Sequence, residues 1–205
     1  MSRADALVAA VGERWTSLAE HPFVLATADG TLSERAFDRW LLDDHAFVVQ
    51  FRDTLAEVVE LAPDPAARAV LLGGLTALGP ELALFAAELT GRGLDPAAHR
   101  PSEACQDYVR WLRACPGQGW DVALAALHGV ERAYLDAWTA VRQRSTGHRY
   151  AAFVHTWSSP EFAAWVDALA GLLGEPDPTA AQVAAYRHVA ELEHAFWDAV
   201  HTGGA

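Results

Sequence analysis

The chain has 205 residues, of which 52% are hydrophobic and 20% charged, with a formal net charge of −12 at pH 7. So much apolar material excludes a disordered chain, the length fits one domain over residues 1–205, and the acidic balance excludes a nucleic-acid partner, which needs a basic face. All fifteen basic residues are arginine, which excludes Schiff-base or pyridoxal-phosphate chemistry through lysine and a lysine-bearing phosphate loop.

In chain order, Met1–Val11 carries Arg3 and Asp5 and lacks the apolar core of a signal peptide. Residues 4–20 read as a helix with Leu7, Val8, Val11, Trp15 and Leu18 on one side, stopping at His21-Pro22. Phe23, Val24 and Leu25 follow in a short loop ending at Asp29-Gly30, and Thr31 with Glu34 has the spacing of a capping box for a long helix from about Ser33 to Leu61. Pro63 and Pro65 break it. Pro65 suits the first turn of a helix to about Leu78, and Pro80 that of another carrying Leu82, Phe85, Ala86 and Leu89. After a loop from Gly91 to Pro101, Cys105, Tyr108, Val109 and Leu112 make a short helix. Pro116-Gly117-Gln118-Gly119 then turns the chain into a helix from Asp121 to about Arg142. Beyond Gly147, His148–Trp157 is helical, Ser159-Pro160-Glu161 caps and opens Phe162–Leu173, and Pro176-Asp177-Pro178 closes it. Thr179 with Gln182 caps a last helix from about Ala180 to Val200. No stretch alternates apolar and polar residues with β-branched enrichment, so the expectation is an all-α domain of about eight or nine helices. No apolar run approaches the ~20 residues of a spanning helix. Cys105 and Cys115, which form neither a close pair nor a metal spacing, read as free thiols in a reducing compartment. A cytoplasmic protein without a membrane partner is expected.

Three of these helices bring an acid into an apolar stripe. Leu124, Leu127, Glu131, Tyr134 and Trp138 recur at three- and four-residue steps. Asp44 falls among Phe37, Trp40, Leu41, Phe47, Val48, Phe51, Leu55 and Val58, and Glu193 among Val183, Tyr186, Val189, Ala190, Phe196, Trp197 and Val200. A buried carboxylate costs several kcal/mol unless it is hydrogen-bonded, partnered or held neutral. Each acid could lie at the edge of its stripe and pair with an arginine. All three, however, are flanked by aromatics at i±3 or i±4, and with Phe47, Tyr134, Tyr186 and Phe196 they point to an apolar, ring-lined small-molecule pocket.

A metal reading has weaker support. His128/Glu131 and Glu191/His194 have Glu-x-x-His-type spacing and Asp44 adjoins His45, yet adjacent residues point about 100° apart on a helix. No metal and no cofactor are expected. Gly-x-Ser-x-Gly, Cys-x-x-Cys, His-Glu-x-x-His and strand-borne Gly-x-Gly-x-x-Gly motifs are absent, which leaves hydrolysis by carboxylate-activated water if the chain is an enzyme.

Several segments resemble the TenA or thiaminase II family of the haem-oxygenase-like helical fold. They are His21-Pro22-Phe23-Val24, Asp29-Gly30-Thr31-Leu32, Trp40-Leu41-Leu42-Asp43-Asp44-His45-Ala46-Phe47, Ser158-Ser159-Pro160-Glu161-Phe162 and Glu193-His194-Ala195-Phe196-Trp197. In the commoner branch the Glu131 helix carries a nucleophilic cysteine, whose aligned position here is Leu127. The segment Leu127-His128-Gly129-Val130-Glu131-Arg132-Ala133-Tyr134 instead resembles the branch in which a glutamate one turn on replaces it. That resemblance implies salvage of thiamin breakdown products by hydrolysis of an amino- or formylamino-pyrimidine. Asp44 would bind the aminopyrimidine edge, Glu131 would act as acid/base and Glu193 would assist proton transfer or orientation. Phe47, Tyr134 and Trp157 would give ring contacts, with Phe47 and Trp157 standing where the family often has tyrosine. A homo-oligomer, dimer or tetramer, is also implied. A helical di-iron oxygenase and a non-catalytic pyrimidine-binding or regulatory protein are the alternatives.

Overall fold

The computed structural model describes residues 2–145, 150–174 and 177–203. The expected helix start at His148 and the turn at Pro176 lie outside them. All regular structure among the described residues is helical: α1 Arg3–Val11, α2 Glu13–Thr16, α3 Pro22–Ala28, α4 Glu34–Leu61, α5 Pro65–Arg92, α6 Glu103–Ala114, α7 Trp120–Arg144, α8 Ala151–Ser158, α9 Pro160–Leu172 and α10 Ala180–Thr202.

Local chemistry accounts for most boundaries. Gly12, at φ 67°, splits the expected N-terminal helix into α1 and α2. Where a loop is expected after Pro22, α3 forms instead, because Pro22 takes its first turn and His21 Nδ1 accepts from the Phe23 backbone N–H at 3.2 Å. The other ring nitrogen of His21 lies 3.1 Å from Asp198 on α10, so this His-Pro step also fastens α3 to the last helix. The cap of α4 is Ser33 rather than Thr31, through a 3.1 Å bond from the Ala36 N–H. Thr179 and Gln182 do form a reciprocal capping box, at 3.0 and 3.2 Å, and Ser159 caps α9 ahead of Pro160.

The largest departure is at Pro80, which interrupts nothing: α5 runs unbroken through it for 28 residues. A proline inside a helix leaves the carbonyl four residues back without its donor. Here Thr76 and Pro80 are both on the exposed side, where solvent can take that carbonyl. One consequence is a correction to the absence of long apolar runs. α5 has the length and composition to cross a membrane, and only 22% of its most apolar stretch is buried. Its inner face, Ala67, Leu71, Gly74, Leu78, Phe85 and Leu89, is buried, while Leu72 is 47% exposed on the outer face.

α4, α7 and α10 supply the interior. Every residue of the α4 stripe from Phe37 to Val58 is buried, Asp44 included. Trp40 lies at the centre, its ring 5.2 Å from Phe37 and Phe153, 5.3 Å from Trp138 and 5.9 Å from Trp157. This aromatic block joins α4, α7 and α8 and fixes Trp157. At the start of α4, Arg92 caps the ring of Phe37 at 4.4 Å while donating to Glu88, Glu34 and Asp38, which anchors the end of α5 there.

Candidate active site

A narrow cleft opens between α4, α5, α7 and α8, and it contains most of the residues that periodicity selects. Asp44, Phe47 and Phe51 come from α4, Val130, Glu131 and Tyr134 from α7, and Trp157 from α8; Leu78 and Glu81 of α5 close it. Its free volume is about 20 Å³, close to the room a single water needs. That volume is too small for an aromatic ring unless the lining side chains rearrange, a common adjustment on binding.

Each acid takes its hydrogen bond from an aromatic donor rather than from an arginine. The Tyr134 hydroxyl donates to Asp44 Oδ1 at 2.5 Å, Trp165 Nε1 donates to Glu131 Oε1 at 2.9 Å, and the Tyr108 hydroxyl donates to Glu193 Oε1 at 2.8 Å. Asp44 Oδ2 and Glu193 Oε2 are buried with no protein partner. Burial pushes the Asp44 carboxyl up to about 7, against the pull of Tyr134, with the adjacent Asp43 adding to the rise. Burial likewise pushes Glu131 up to about 7, against the Trp165 bond. Glu193, fully buried, is pushed up to about 8, again chiefly by burial. Glu131 is half-buried by exposure because it faces the cleft, yet it sits deep enough for desolvation to dominate. An acid near 7 exchanges protons in either direction at neutral pH.

The structure brings together Asp44, Glu131, Phe47 and Tyr134, which periodicity selects, and Trp157, which the family resemblance implies. Glu193 stands behind the wall, reached through Tyr108, whose ring lies 4.7 Å from Phe47. Tyr186 is not brought to the cleft. It stacks on Trp15 at 5.0 Å and its hydroxyl bonds His128 Nδ1, so its expected role in substrate contact is corrected to a packing role. Tyr186 shares Glu193's stripe but lies seven residues away, roughly 10 Å along the axis. The histidines paired with acids by spacing are engaged elsewhere as well. His128 faces Tyr186, His194 faces Ser17 and the Arg14 carbonyl, and Glu191 bonds His188. Among the described residues no group of three histidine, cysteine or acidic side chains is placed to hold a metal ion.

Glu81 is the residue that sequence reasoning misses. It faces Glu131 and Asp44 across the cleft, and burial together with those two like charges drives its carboxyl well up, against a hydrogen bond from Trp157. Its signal is legible in hindsight. Between Arg68 and Glu88 it is the sole charged residue, and it lies three residues after buried Leu78 and four before buried Phe85.

Gly74 sets the position of Glu131's donor. A Cβ on Gly74 would lie 2.5 Å from Cζ2 of Trp165, whereas one on Gly73 meets nothing within 4 Å. We expect Gly74→Ala to displace the indole from Glu131 and lower turnover by roughly ten- to a hundredfold, the scale on which small misplacements act. Overpacking of about 1–3 kcal/mol is partly offset by better helix propensity, about 1 kcal/mol. Gly73→Ala is the matched control, expected to leave turnover unchanged and melting level or raised. Equal turnover in the two variants would show that the Trp165 bond is immaterial.

A Pyrococcus furiosus TenA homologue superposes with a TM-score of 0.90 at 23% identity, covering 96% of this chain and 98% of that one. A Silicibacter protein described as a TenA family transcription regulator gives 0.91 at 21% identity, covering 98% and 96%. At these identities the likeness is one of fold. A Glycine max protein described as "Probable bifunctional TENA-E protein" is 28% identical over 123 residues, 57% of this chain and 54% of that protein, so the match spans about half its length. The TENA/THI-4/PQQC family model matches residues 8–202, and the chain belongs to that family.

Proposed function

We propose that this protein hydrolyses an aminopyrimidine derived from thiamin breakdown, through the glutamate-type chemistry implied by Glu131 in place of a cysteine. The observation that carries the reading is the convergence of Asp44 and Glu131, both pushed up to about 7, on one ring-lined cleft. Asp44 Oδ2, unpartnered while Oδ1 is held by Tyr134, faces the edge of the pyrimidine, accepting from its amino group when ionised or donating to a ring nitrogen when protonated. Phe47, Tyr134 and Trp157 contact the ring faces and edges. Glu131 delivers its proton to the exocyclic nitrogen as the C–N bond breaks. The nitrogen leaves as ammonia, or as formamide from the formylamino compound, and water supplies the hydroxyl that replaces it after giving its proton back to the carboxylate. Glu193 holds a proton behind Tyr108 and orients that side of the pocket.

Incubation of the purified chain with the aminopyrimidine, the formylamino-pyrimidine and thiamin, with products followed by mass spectrometry, tests this. Release of a hydroxymethylpyrimidine is expected. Binding without turnover of any of the three would instead support a pyrimidine-binding or regulatory protein.

We also propose that the chain self-associates through the outer face of α5, which carries no charge from Ala69 to Pro80 and exposes Leu72. Light scattering should give a mass above 22.1 kDa, and Leu72→Glu should lower it. A concentration-independent monomer would refute this.

A further inference from the structure

Neighbouring residues of α4 face two different spaces. Asp44, Phe47 and Phe51 turn into the candidate active site. His45, Ala46, Val49 and Gln50, about 180° round the helix by its 3.6-residue period, floor an open groove of about 790 Å³. α6 makes the facing wall through Cys105, Val109 and Arg113, and the loop before it closes one end with Pro96, Ala97 and Pro101. The volume is in the range of small-molecule sites, and the walls are fixed by the fold itself. The buried Asp43 carboxylate accepts from the Ser102 backbone N–H at 3.2 Å and lies 2.6 Å from His99 Nε2, which ties the loop to α4. The Cys105 thiol donates to the Asp43 carbonyl at 3.4 Å, and Arg113 donates to Gln50 Oε1 at 3.0 Å. α4 and α6 therefore run side by side in the same direction, pinned at both ends of the groove.

The two ends of the groove differ in chemistry. At the loop end the prolines, Ala97 and Ala46 are apolar. His45 there packs edge-on against Phe85 at 6.0 Å, and burial pushes its imidazole down, so it is uncharged at neutral pH. Five residues along α4, roughly 8 Å by helix rise, Gln50 meets the arginine end. In a chain with 27 acids and 15 arginines, this lining holds two arginines and no acid. Arg110 donates to Asp107 at 2.5 Å, but that pair is exposed and holds its guanidinium weakly. Among the described residues Arg113 has no carboxylate within ion-pair distance, and its partner is the neutral Gln50 amide. We propose that this groove is a second binding site, separate from the cleft, for an amphipathic anion: an apolar body ending in a single carboxylate or phosphate. The guanidinium forks of Arg110 and Arg113 match such a head group, and the apolar body leaves water for the proline and valine walls. A cation of the same shape meets two like charges. The site does not rest on the aminopyrimidine reading.

Calorimetric titration with naphthyl phosphate, naphthoate and naphthylmethylammonium varies the charge on a constant apolar body. The wild type should bind both anions at one site per chain, less tightly as salt is raised, and the ammonium roughly tenfold or more weakly. The tighter anion tells which head group the arginines are spaced for, and either order supports the site. The double variant Arg110→Gln/Arg113→Gln should weaken both anions roughly tenfold or more, the scale of lost charge-assisted hydrogen bonds, without weakening the ammonium. Ala97→Trp, which fills the apolar end and keeps the backbone bond to Asp95, should weaken the anions severalfold. Neither variant replaces a buried side chain, so both should fold. Glu131→Gln, in the cleft, should leave anion affinity unchanged. Absence of saturable binding of either anion to the wild type, or equal binding of the ammonium, would overturn the proposal. So would anion binding that survives both groove variants intact, or that is lost in Glu131→Gln, which would place the anion in the cleft.

Discussion

Replacement of Glu131 by glutamine should lower turnover by roughly 10²–10⁴-fold, the usual share of a positioned acid/base, while pyrimidine binding changes little and melting stays level or rises. The amide oxygen can still accept from Trp165 Nε1, now at 2.9 Å from Oε1, so the indole keeps its place. What is lost is the transferable proton. Stability should not suffer, because burial rather than a cation sets the state of this carboxyl: its group is pushed up to about 7 by desolvation. The nearest arginine in sequence, Arg132, donates from Nε to Asp136 at 2.8 Å, on the other side of the helix. Above pH 7 the variant should gain on the wild type, which there carries an ionised group in a desolvated position. A structural ion pair predicts the reverse, a melting temperature lower by several degrees with activity reduced only in proportion to the folded fraction. Melting temperature, pyrimidine affinity and hydrolysis on one preparation separate the two. Near-normal turnover per folded molecule would remove Glu131 from the mechanism and with it the main support for hydrolysis.

Long amphipathic helices made the fold and half of the site legible. In α4 and α7 the 3.6-residue period holds for seven or eight turns, so Asp44, Phe47, Glu131 and Tyr134 could be assigned to the interior from spacing alone. Periodicity gives the angle of a side chain about the axis but not its neighbours. Tyr186 and Glu193 have nearly the same angle on α10, yet one meets Trp15 and His128 and the other Tyr108, because the helix spans the protein and different elements cross it at different heights. Pairing across helices was likewise hidden. That Trp165 serves Glu131, and Tyr108 serves Glu193, depends on how α9 and α6 dock. Glu81 was lost for a third reason: dividing the chain at Pro80 put it in the first turn of a short helix, where an acid is expected as a partner of the helix dipole. In the continuous α5 it falls mid-helix, between Leu78 and Phe85, where an acid needs another explanation.

Glu193 should give the protein a stability that declines from acid toward alkaline pH, and Glu193→Gln should remove much of the decline. The carboxyl is fully buried, its Oε1 accepts from Tyr108 at 2.8 Å and its Oε2 has no partner. Burial first, and then the neighbouring charge of Asp44, push it up to about 8 from an ordinary 4.5. Between those values the folded chain holds a proton that the unfolded chain has released. Because the folded state is the one binding more protons, each unit rise in pH across that window costs about 1.4 kcal/mol for this group. The favourable protonated state is complete below the unfolded value and gone above the folded one. Asp44 and Glu131, both near 7, slope the same way over a shorter range. For a chain of 205 residues, 1 kcal/mol corresponds to roughly 2–4 °C, so Glu193 alone should lower the wild-type melting temperature by about 3–6 °C per unit from pH 5 to 8. Glutamine accepts the Tyr108 bond through its amide oxygen and has nothing to ionise, so its curve should be flatter. The two proteins should melt most nearly alike at pH 5 and differ most, in the variant's favour, at pH 8–9. Curves that run parallel throughout would mean that Glu193 is ionised in the folded protein at neutral pH, and that it holds no proton behind Tyr108 to contribute to the reaction.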